Sequence, residues 1–268
     1  MRKFKKIAVV AMIGVMAVST CSCGKKETKE KTAKISAEEL CDKIADASKN
    51  VEGLKATAEG EVLVEMSGLE VSAEGSIEMA VNKEPVNSYA NIELEYDLAG
   101  LMSDNYSLKM YELKNEDSID TYTCVNGEWE HESVDVSDEK NDKISDVIDG
   151  NEDIDFSEFL DVCSGLKVTE KDGKYIMSGT VNSDSLIDKM KDIDEDVDTS
   201  MVPDSKVEVT VTVNKKTNLL EKITFDVQAD KVEIEGQSFE VKKCKIDVVV
   251  NSYGSVDITV PEEAKDVK

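Results

Sequence analysis

The stretch from Asp149 to Leu160, DGNEDIDFSEFL, has the acidic spacing of a calcium-binding loop. An EF-hand loop takes oxygen ligands from positions 1, 3, 5 and 9, needs glycine at position 6 and ends on a bidentate glutamate at position 12. With Glu158 at position 12, Asp149, Asn151 and Asp155 fall at positions 3, 5 and 9. The spacing therefore raises the hypothesis of a Ca²⁺ site.

The same register fails at two positions that shape such a loop. Position 1 is Val147, which has no side-chain oxygen, and position 6 is Glu152, which lacks the freedom of glycine to turn. A helix N-cap explains these residues better than a metal site does. Asp155 and Glu158 have capping-box spacing, and their carboxylates would lie near a helix N-terminus. We therefore predict no metal site and no cofactor, and a helix from Phe156 to about Leu166.

His131 is the one histidine of the chain and the next candidate for chemistry. It follows the Asn126-Gly127 dipeptide, which favours the positive φ angles of a type I′ hairpin turn, so His131 should lie on the returning strand. No nucleophile motif such as GxSxG accompanies it. A lone histidine on a strand is usually exposed or hydrogen-bonded, and we predict no catalytic residue and no enzymatic activity.

Two cysteines close an apolar segment near the first residue. MRKFKK is basic, IAVVAMIGVMAVS is apolar and shorter than the ~20 residues of a membrane-spanning helix, and TCSC follows; this order is typical of a secretory signal. The cysteines resemble the lipobox of bacterial lipoproteins, where a cysteine after a small residue receives diacylglycerol and becomes the new N-terminus. Cys23, after Ser22, fits this pattern better than Cys21, after Thr20. The alternative is an ordinary cleaved signal with two incidental cysteines.

This leader predicts the organisation and the location of the protein. Residues 1–22 form a lipoprotein signal peptide, residues 23–35 a lipid-anchored flexible tether, and residues 36–268 a single domain. The polar, lysine-rich composition of GKKETKEKTAK is typical of a flexible linker. We expect the protein to contact the cell membrane through acylated Cys23 and to lie on its extracytoplasmic face.

The remaining cysteines are Cys41, Cys124, Cys163 and Cys244, and they form no CxxC pair and no zinc-ligand spacing. An exported protein with an even number of cysteines can form disulfides, so pairing stays open. Each cysteine lies among apolar neighbours, where a free thiol behaves as a small apolar side chain. We predict free thiols in the core.

The charge balance excludes one class of partner. The 268 residues carry 32 basic and 58 acidic side chains, for a formal net charge of −26. The phosphate backbone of a nucleic acid would be repelled, so we expect no nucleic-acid binding. The same charge disfavours contact between the folded domain and an anionic membrane surface.

Two segments besides the one after Asp155 have the pattern of amphipathic helices. In SAEELCDKIADASKNV, Ser36 and Glu39 form a capping box, and Leu40 and Ile44 share one face. In SDSLIDKMKDI, a polar cap precedes Leu186 and its apolar neighbours. Each helix should lie against an apolar surface.

Most of the remaining chain alternates between apolar and polar residues, with the period of two that is typical of strands. In LEVSAEGSIEMAV the apolar residues from Leu69 to Val81 share one parity, and ANIELEYDLA and KVEVTVTV repeat the pattern. Strands with one apolar face form antiparallel sheets that are covered on one side. Because few crossover helices are available, we predict an α+β fold with a large antiparallel sheet.

The order of these segments resembles the LolA-like lipoprotein fold, which includes the periplasmic lipoprotein carrier and the lipid-transfer lipoproteins of mycobacteria. Many uncharacterised lipoproteins of Gram-positive bacteria share this plan. The resemblance is architectural, covers about Ser36 to Val267, and is carried by VNGEWEH, YIMSGTVNSDSL, VEVTVTVNKKTNLLEKITFDV and ITVPEEA. It implies a strongly curved, incompletely closed antiparallel sheet with helices on its concave face, and an acyl chain held between helices and sheet.

Two functions fit these expectations. A lipid or other apolar ligand would be lined by residues of the apolar strand and helix faces, namely Leu69, Val71, Ile77, Ile92, Leu94, Phe156, Phe159, Leu160 and Leu186. The same residues fit a filled core, since protein interiors pack at a density of ~0.74 by default. The alternative is therefore a structural or interaction module at the cell surface, which binds a protein or an envelope polymer and holds no ligand.

Overall fold

The computed structural model describes residues 31–66, 68–136, 160, 162–181, 206–228, 231–234 and 237–267. These segments include helices α1 (Ala37–Ser48) and α2 (Glu262–Lys265). They also contain thirteen strands: β1 (Lys31–Thr32), β2 (Gly53–Met66), β3 (Leu69–Asn82), β4 (Asn87–Leu98), β5 (Met102–Lys114), β6 (Ser118–Val125), β7 (Glu128–Asp135), β8 (Cys163–Lys171), β9 (Lys174–Val181), β10 (Lys206–Asn214), β11 (Leu220–Gln228), β12 (Lys231–Ile234) and β13 (Gln237–Tyr253).

All of these strands belong to one antiparallel sheet. Their order is β1-β8-β9-β10-β11-β13-β2-β3-β4-β5-β6-β7, and β12 pairs with β13 beside this path. The order ends at β1 and β7, so the sheet curves without closing. The predicted fold class, a large curved and incompletely closed antiparallel sheet with few helices, is confirmed. No helix in the described part of the chain has the length and apolar character needed to cross a membrane.

The register between strands gathers apolar side chains on one face, because residues directly opposite each other share a face. We call this the concave face and the other the convex face. Across β8 to β11 and β13 the concave face carries Val168, Met177, Val211, Ile223 and Val248. Across β2 to β6 it carries Ala58, Ile77, Ile92, Leu108 and Val125.

Two cores lie on the concave face. The first core lies on β8–β10 and is covered by α1, whose side chains Leu40, Cys41 and Ile44 are buried. The second core lies on β2–β4 and β13, and its buried residues are Ala58, Ile77, Ile92 and Ile246. The apolar strand faces therefore form two adjacent clusters on one continuous surface.

Helix α1 begins as predicted. Ser36 Oγ accepts a hydrogen bond from Glu39 N (3.0 Å), and Glu39 Oε2 accepts one from Ser36 N (2.8 Å). Both partners of the capping box are thus present, and they satisfy two backbone groups that the first turn leaves free. The Asn126-Gly127 turn is also confirmed, since both residues have positive φ angles (49° and 93°).

The segment that leads into β8 differs from the prediction. The helix expected as far as Leu166 has ended before Cys163, where β8 begins. Gly165 has φ +65°, and the register of β8 against β9 shifts around it. Because of this bulge, the apolar residues Cys163 and Leu166 are three positions apart in the sequence, a spacing that resembles the period of a helix. Leu166 packs over Gly179, because a Cβ added to Gly179 would lie 2.7 Å from Leu166 Cδ2.

Part of the predicted tether joins the sheet. Lys31 and Thr32 pair with β8 as an additional edge strand, and Ala33 N donates to Val168 O (3.0 Å). Ala33 and Ile35 pack against the first core. The edge of β8 offers unpaired backbone groups, and the extended chain satisfies them.

The convex face is also covered at one end of the sheet, contrary to the expectation of a sheet covered on one side only. The C-terminal segment, residues 254–265, crosses this face and ends in α2. Asn82 is 2% exposed; its Nδ2 donates to Val256 O (2.7 Å), and its Oδ1 accepts from Val256 N (2.8 Å). Val260 and Ala264 are buried with it. Asn82 thus acts as a backbone-like partner that fixes the segment.

We predict that Asn82→Ala lowers the free energy of unfolding by about 2–3 kcal/mol, because it leaves the backbone N–H and C=O of Val256 without a buried partner. The matched control is Asn251→Ala, which removes an exposed asparagine from β13 and should cost less than about 0.5 kcal/mol. Urea denaturation of the purified variants measures both. Equal losses in the two variants would contradict the role given to Asn82.

Candidate functional site

Four predicted site residues lie outside the part of the chain that the structure describes. They are Phe156, Phe159, Leu186 and the anchor residue Cys23. The acidic loop at residues 147–158 and the helix expected at residues 183–193 lie outside it as well. The statements about them remain predictions.

The other predicted lining residues are Leu69, Val71, Ile77, Ile92, Leu94 and Leu160, and they fall in separate places on the concave face. Ile77 and Ile92 are buried in the second core, and Leu94 packs against it. Leu160 packs against the first core. The structure therefore brings Ile77, Ile92 and Leu94 together and places Leu160 in the neighbouring cluster.

A floor of small residues lies beneath the second core. By register, the concave positions of β2, β3 and β4 include Ala56, Ala58, Gly60, Ala73, Gly75 and Ala90. Gly60 and Gly75 are directly opposite each other. Leu94 lies over Gly75, since a Cβ there would be 2.7 Å from Leu94 Cδ2, whereas a Cβ on Gly60 would meet Ile246 Cγ1 at an ordinary 3.8 Å.

The sequence analysis missed this floor, although a signal for it was present. A glycine inside an alternating strand marks a place where another group approaches closely. Gly60 and Gly75 are such glycines, one in each of two consecutive strands. Only the register shows that these two glycines are directly opposite each other. At this point neither strand contributes a side chain to the concave face.

The apolar residues of the concave face continue along β3 toward one end of the sheet. Their exposure increases in this direction: Ile77 is 2% exposed, Val71 is half-buried and Leu69 is 46% exposed. The turn between β4 and β5 adds Leu101 and Met102, which are 81% and 51% exposed. We call Leu69, Leu101 and Met102 the tip patch. An apolar track thus joins the buried second core to an exposed end.

A cleft on the convex face is the second place where a ligand could lie. It has a volume of about 130 Å³ and separates Tyr89 and Tyr111 from residues 256–259 of the C-terminal segment. Lys55 and Glu78 form an ion pair at its side, and burial raises the pKa of Tyr89 to about 12. Its volume is below the ~300 Å³ at which ligand sites begin, so it is too small for a drug-sized or lipid ligand.

His131 makes contacts within its own sheet. Its Nε2 lies 3.2 Å from Asp120 Oδ1, and its ring stacks on Tyr122 with centroids 4.4 Å apart and planes inclined by 13°. Asp120 and Tyr122 belong to the neighbouring strand β6. These contacts explain its position without a substrate.

The described residues contain no group of three or more His, Cys, Asp or Glu side chains that could hold a metal ion.

The four described cysteines are free, as predicted. Burial raises the pKa of Cys41, Cys163 and Cys244 to about 11 in each case, with smaller contributions from Asp42, Cys41 and Asp226 respectively. Because the thiolate is the nucleophilic form, these thiols are poor nucleophiles at neutral pH. They serve the two cores as small apolar side chains.

Comparisons with known proteins bear on the whole domain. The sequence profile of DUF6612, a family of unknown function, matches residues 36–268. A comparison with curated proteins gives no match.

Two solved structures are similar to the chain over most of its length. One is a DUF1329 family protein from Desulfovibrio piger, with 10% identity, 83% of this chain and 94% of that chain covered, and a TM-score of 0.25. The other is a beta-barrel-like protein of the domain of unknown function DUF1849 from Brucella abortus, with 7% identity, coverages of 77% and 100%, and a TM-score of 0.25. Likenesses at this level carry no argument about function.

We predict that Cys41, Cys163 and Cys244 react with iodoacetamide at about pH 8.5 at least tenfold more slowly in the native protein than in urea, because little thiolate is present and access is limited. Peptide mass mapping after timed labelling gives the rate for each cysteine. Comparable rates in both states would contradict the buried, protonated thiols. Failure to label in urea without reductant would show that disulfides had formed.

Proposed function

The chain belongs to DUF6612, a family of unknown function, and we propose that it is a lipid-anchored, non-enzymatic lipoprotein of the LolA-like type that binds an apolar ligand on its concave face. In this proposal Cys23 carries the anchor, and the tether holds the domain on the extracytoplasmic face of the cell membrane. The ligand is a lipid acyl chain or a group of similar shape and polarity.

The observation that carries the ligand proposal is the floor of small residues beside the apolar track. Gly60 and Gly75 contribute no side chains of their own to a strip of the concave face; Leu94 lies over its Gly75 end, and Ile246 lies beside Gly60. A narrow strip with apolar borders has the cross-section of an extended hydrocarbon chain rather than that of a bulky ring system. The strip continues along β3 to the tip patch, which gives such a chain an exit.

Length and energy also favour an acyl chain. From Ile77 to Leu69 the strand advances eight residues, or about 26 Å at ~3.3 Å per residue. Each CH₂ removed from water contributes about 0.8 kcal/mol, so twelve of them contribute roughly 10 kcal/mol before the cost of association. Burial of one acyl chain is therefore comparable in size to the association cost of about 4–15 kcal/mol.

A cell-surface interaction module with a filled core is the second candidate, and one observation favours it. Ile77, Ile92 and Ile246 are only 2–3% exposed, and Leu94 already occupies the space over Gly75. If these contacts persist, the second core is complete and the outer surface carries the function. The two proposals differ in whether the concave face takes up an apolar probe.

We predict that the chain of residues 24–268, which lacks both the apolar leader and the anchor and can be purified without detergent, binds the neutral fluorophore N-phenyl-1-naphthylamine saturably. Adding Gly60→Leu should weaken this binding by about tenfold or more, because the leucine fills the strip between Gly75 and Ile246. The matched control adds Glu59→Leu, which places the same side chain on the convex face.

Fluorescence titration measures the affinities, and urea midpoints confirm that each variant is folded. Mass spectrometry of a solvent extract shows whether lipid copurifies with the chain of residues 24–268. A folded protein that neither enhances fluorescence nor releases lipid would support the filled-core module instead.

We also predict that Cys23→Ala abolishes incorporation of labelled palmitate and blocks removal of residues 1–22, because the acylated thiol that becomes the new N-terminus is gone. Cys21→Ala is the control and should leave both unchanged. Loss of labelling in Cys21→Ala alone would move the anchor to Cys21, and labelling of neither parent nor variants would favour a cleaved signal.

A further inference from the structure

The exposed large apolar side chains of the described residues gather at one place. Leu69 begins β3, and Leu101 and Met102 lie at the turn between β4 and β5. The two hairpins are neighbours, because Val71 pairs with Leu98. The rest of the described surface carries no comparable group, so within the described residues the tip patch is the part that most needs a covering surface.

The turn that presents this patch has a defined conformation. Ala99 and Gly100 have positive φ angles of 55° and 68°, Gly100 N donates to Asp97 Oδ1 (2.6 Å), and Leu101 N donates to Leu98 O (2.9 Å). These bonds close the hairpin and fix the direction of the following residues. Leu101 and Met102 are therefore presented outward and do not fold back on the sheet.

Along the strands, the aliphatic side chains of the tip patch are followed by tyrosines. The outermost side chains are aliphatic, and the half-buried Tyr96 and Tyr106 lie on the concave face behind them, about 7–14 Å along the strands. Proteins that dip into a membrane surface have this order, with aliphatic groups among the acyl chains and tyrosines at the headgroups. Protein interfaces instead centre on Trp, Tyr and Arg, which the tip patch lacks. A lipid surface therefore fits the patch better than a protein does.

The charges around the patch specify the kind of lipid surface. Glu65 and Glu70 lie opposite each other at the end of the β2–β3 hairpin, and Asp97 and Asp104 flank the β4–β5 turn. Lys242 pairs with Glu65 (3.2 Å) and offsets one of these charges. The surroundings remain negative, so they repel anionic lipid and a second copy of this chain. They are complementary to the outward ammonium groups of zwitterionic headgroups.

We propose that the tip patch inserts into a lipid surface of zwitterionic headgroups. The tether enters the sheet at Lys31, whose partner Glu170 lies at the opposite strand ends from the patch. Patch and anchor are thus separate lipid contacts, and a domain lying along the membrane reaches lipid with both. That the patch is also the entrance for an acyl chain rests on the proposed function; the lipid contact itself does not.

Flotation of the chain of residues 24–268 with vesicles tests the contact without the apolar leader and without the anchor. We expect binding to phosphatidylcholine vesicles and at least tenfold weaker binding to vesicles with equal parts phosphatidylcholine and phosphatidylglycerol. Adding Leu101→Ser and Met102→Ser should weaken phosphatidylcholine binding at least tenfold. The matched control adds Ser103→Ala and Asn105→Ala, two substitutions in the same hairpin that keep the aliphatic residues, and should bind like the parent.

Three outcomes overturn the proposal: no binding of the folded parent to phosphatidylcholine, equal binding by the serine double variant, or tighter binding to the anionic vesicles. Circular dichroism and urea midpoints exclude misfolding as the cause. Fluorophore binding in the absence of vesicles is measured on the same samples. If that binding persists while vesicle binding fails, the proposed function stands and the tip contact is wrong.

Discussion

The register between strands is the constraint on which the rest of this structure depends. It aligns one parity of each strand, so that Val211 and Met177 at one side and Ile77 and Ile92 at the other share a single apolar face. A face of this extent cannot stay exposed to water, because burial of apolar area is the main favourable term in folding. Curvature of the sheet and the docking of α1 follow from it, and Leu40 and Ile44 are fully buried as a result.

On the convex face, the C-terminal segment covers residues that the alternating pattern would leave exposed. Ala80 and Asn82 lie on the polar parity of β3 but are buried, because the segment lies over them. Asn82 replaces a backbone partner with both of its amide atoms, which an apolar residue could not do. This cover lies at one end of the long strands. At the other end the β2–β3 and β4–β5 hairpins extend without it, which leaves the tip patch exposed.

The sequence predicts the local features well because short-range chemistry determines them. Alternating apolar and polar residues predict the strands, and the Ser36–Glu39 capping box predicts the start of α1. Asn126-Gly127 predicts the turn between β6 and β7. The features that escape prediction depend on distant partners. No local pattern places β13 between β11 and β2, and the bulge at Gly165 turns a strand into an apparent helix. The floor of small residues also depends on distant partners, because Gly60 and Gly75 form it only when the register places them opposite each other.

Leu94 connects the two possible uses of the concave face. It lies over Gly75, where an alanine would bring a Cβ to 2.7 Å from its Cδ2 atom, so Leu94 would have to shift to admit one. In the structure described, Leu94 closes the strip that an acyl chain would occupy. A strained rotamer of one leucine costs about 0.5–1.5 kcal/mol, whereas each CH₂ that leaves water contributes about 0.8 kcal/mol. Leu94 also loses its own burial, which is worth up to about 1.5–3 kcal/mol, so a chain of several carbons is needed to offset its displacement. In the proposed function, the same side chain completes the core without ligand and is displaced when an acyl chain binds.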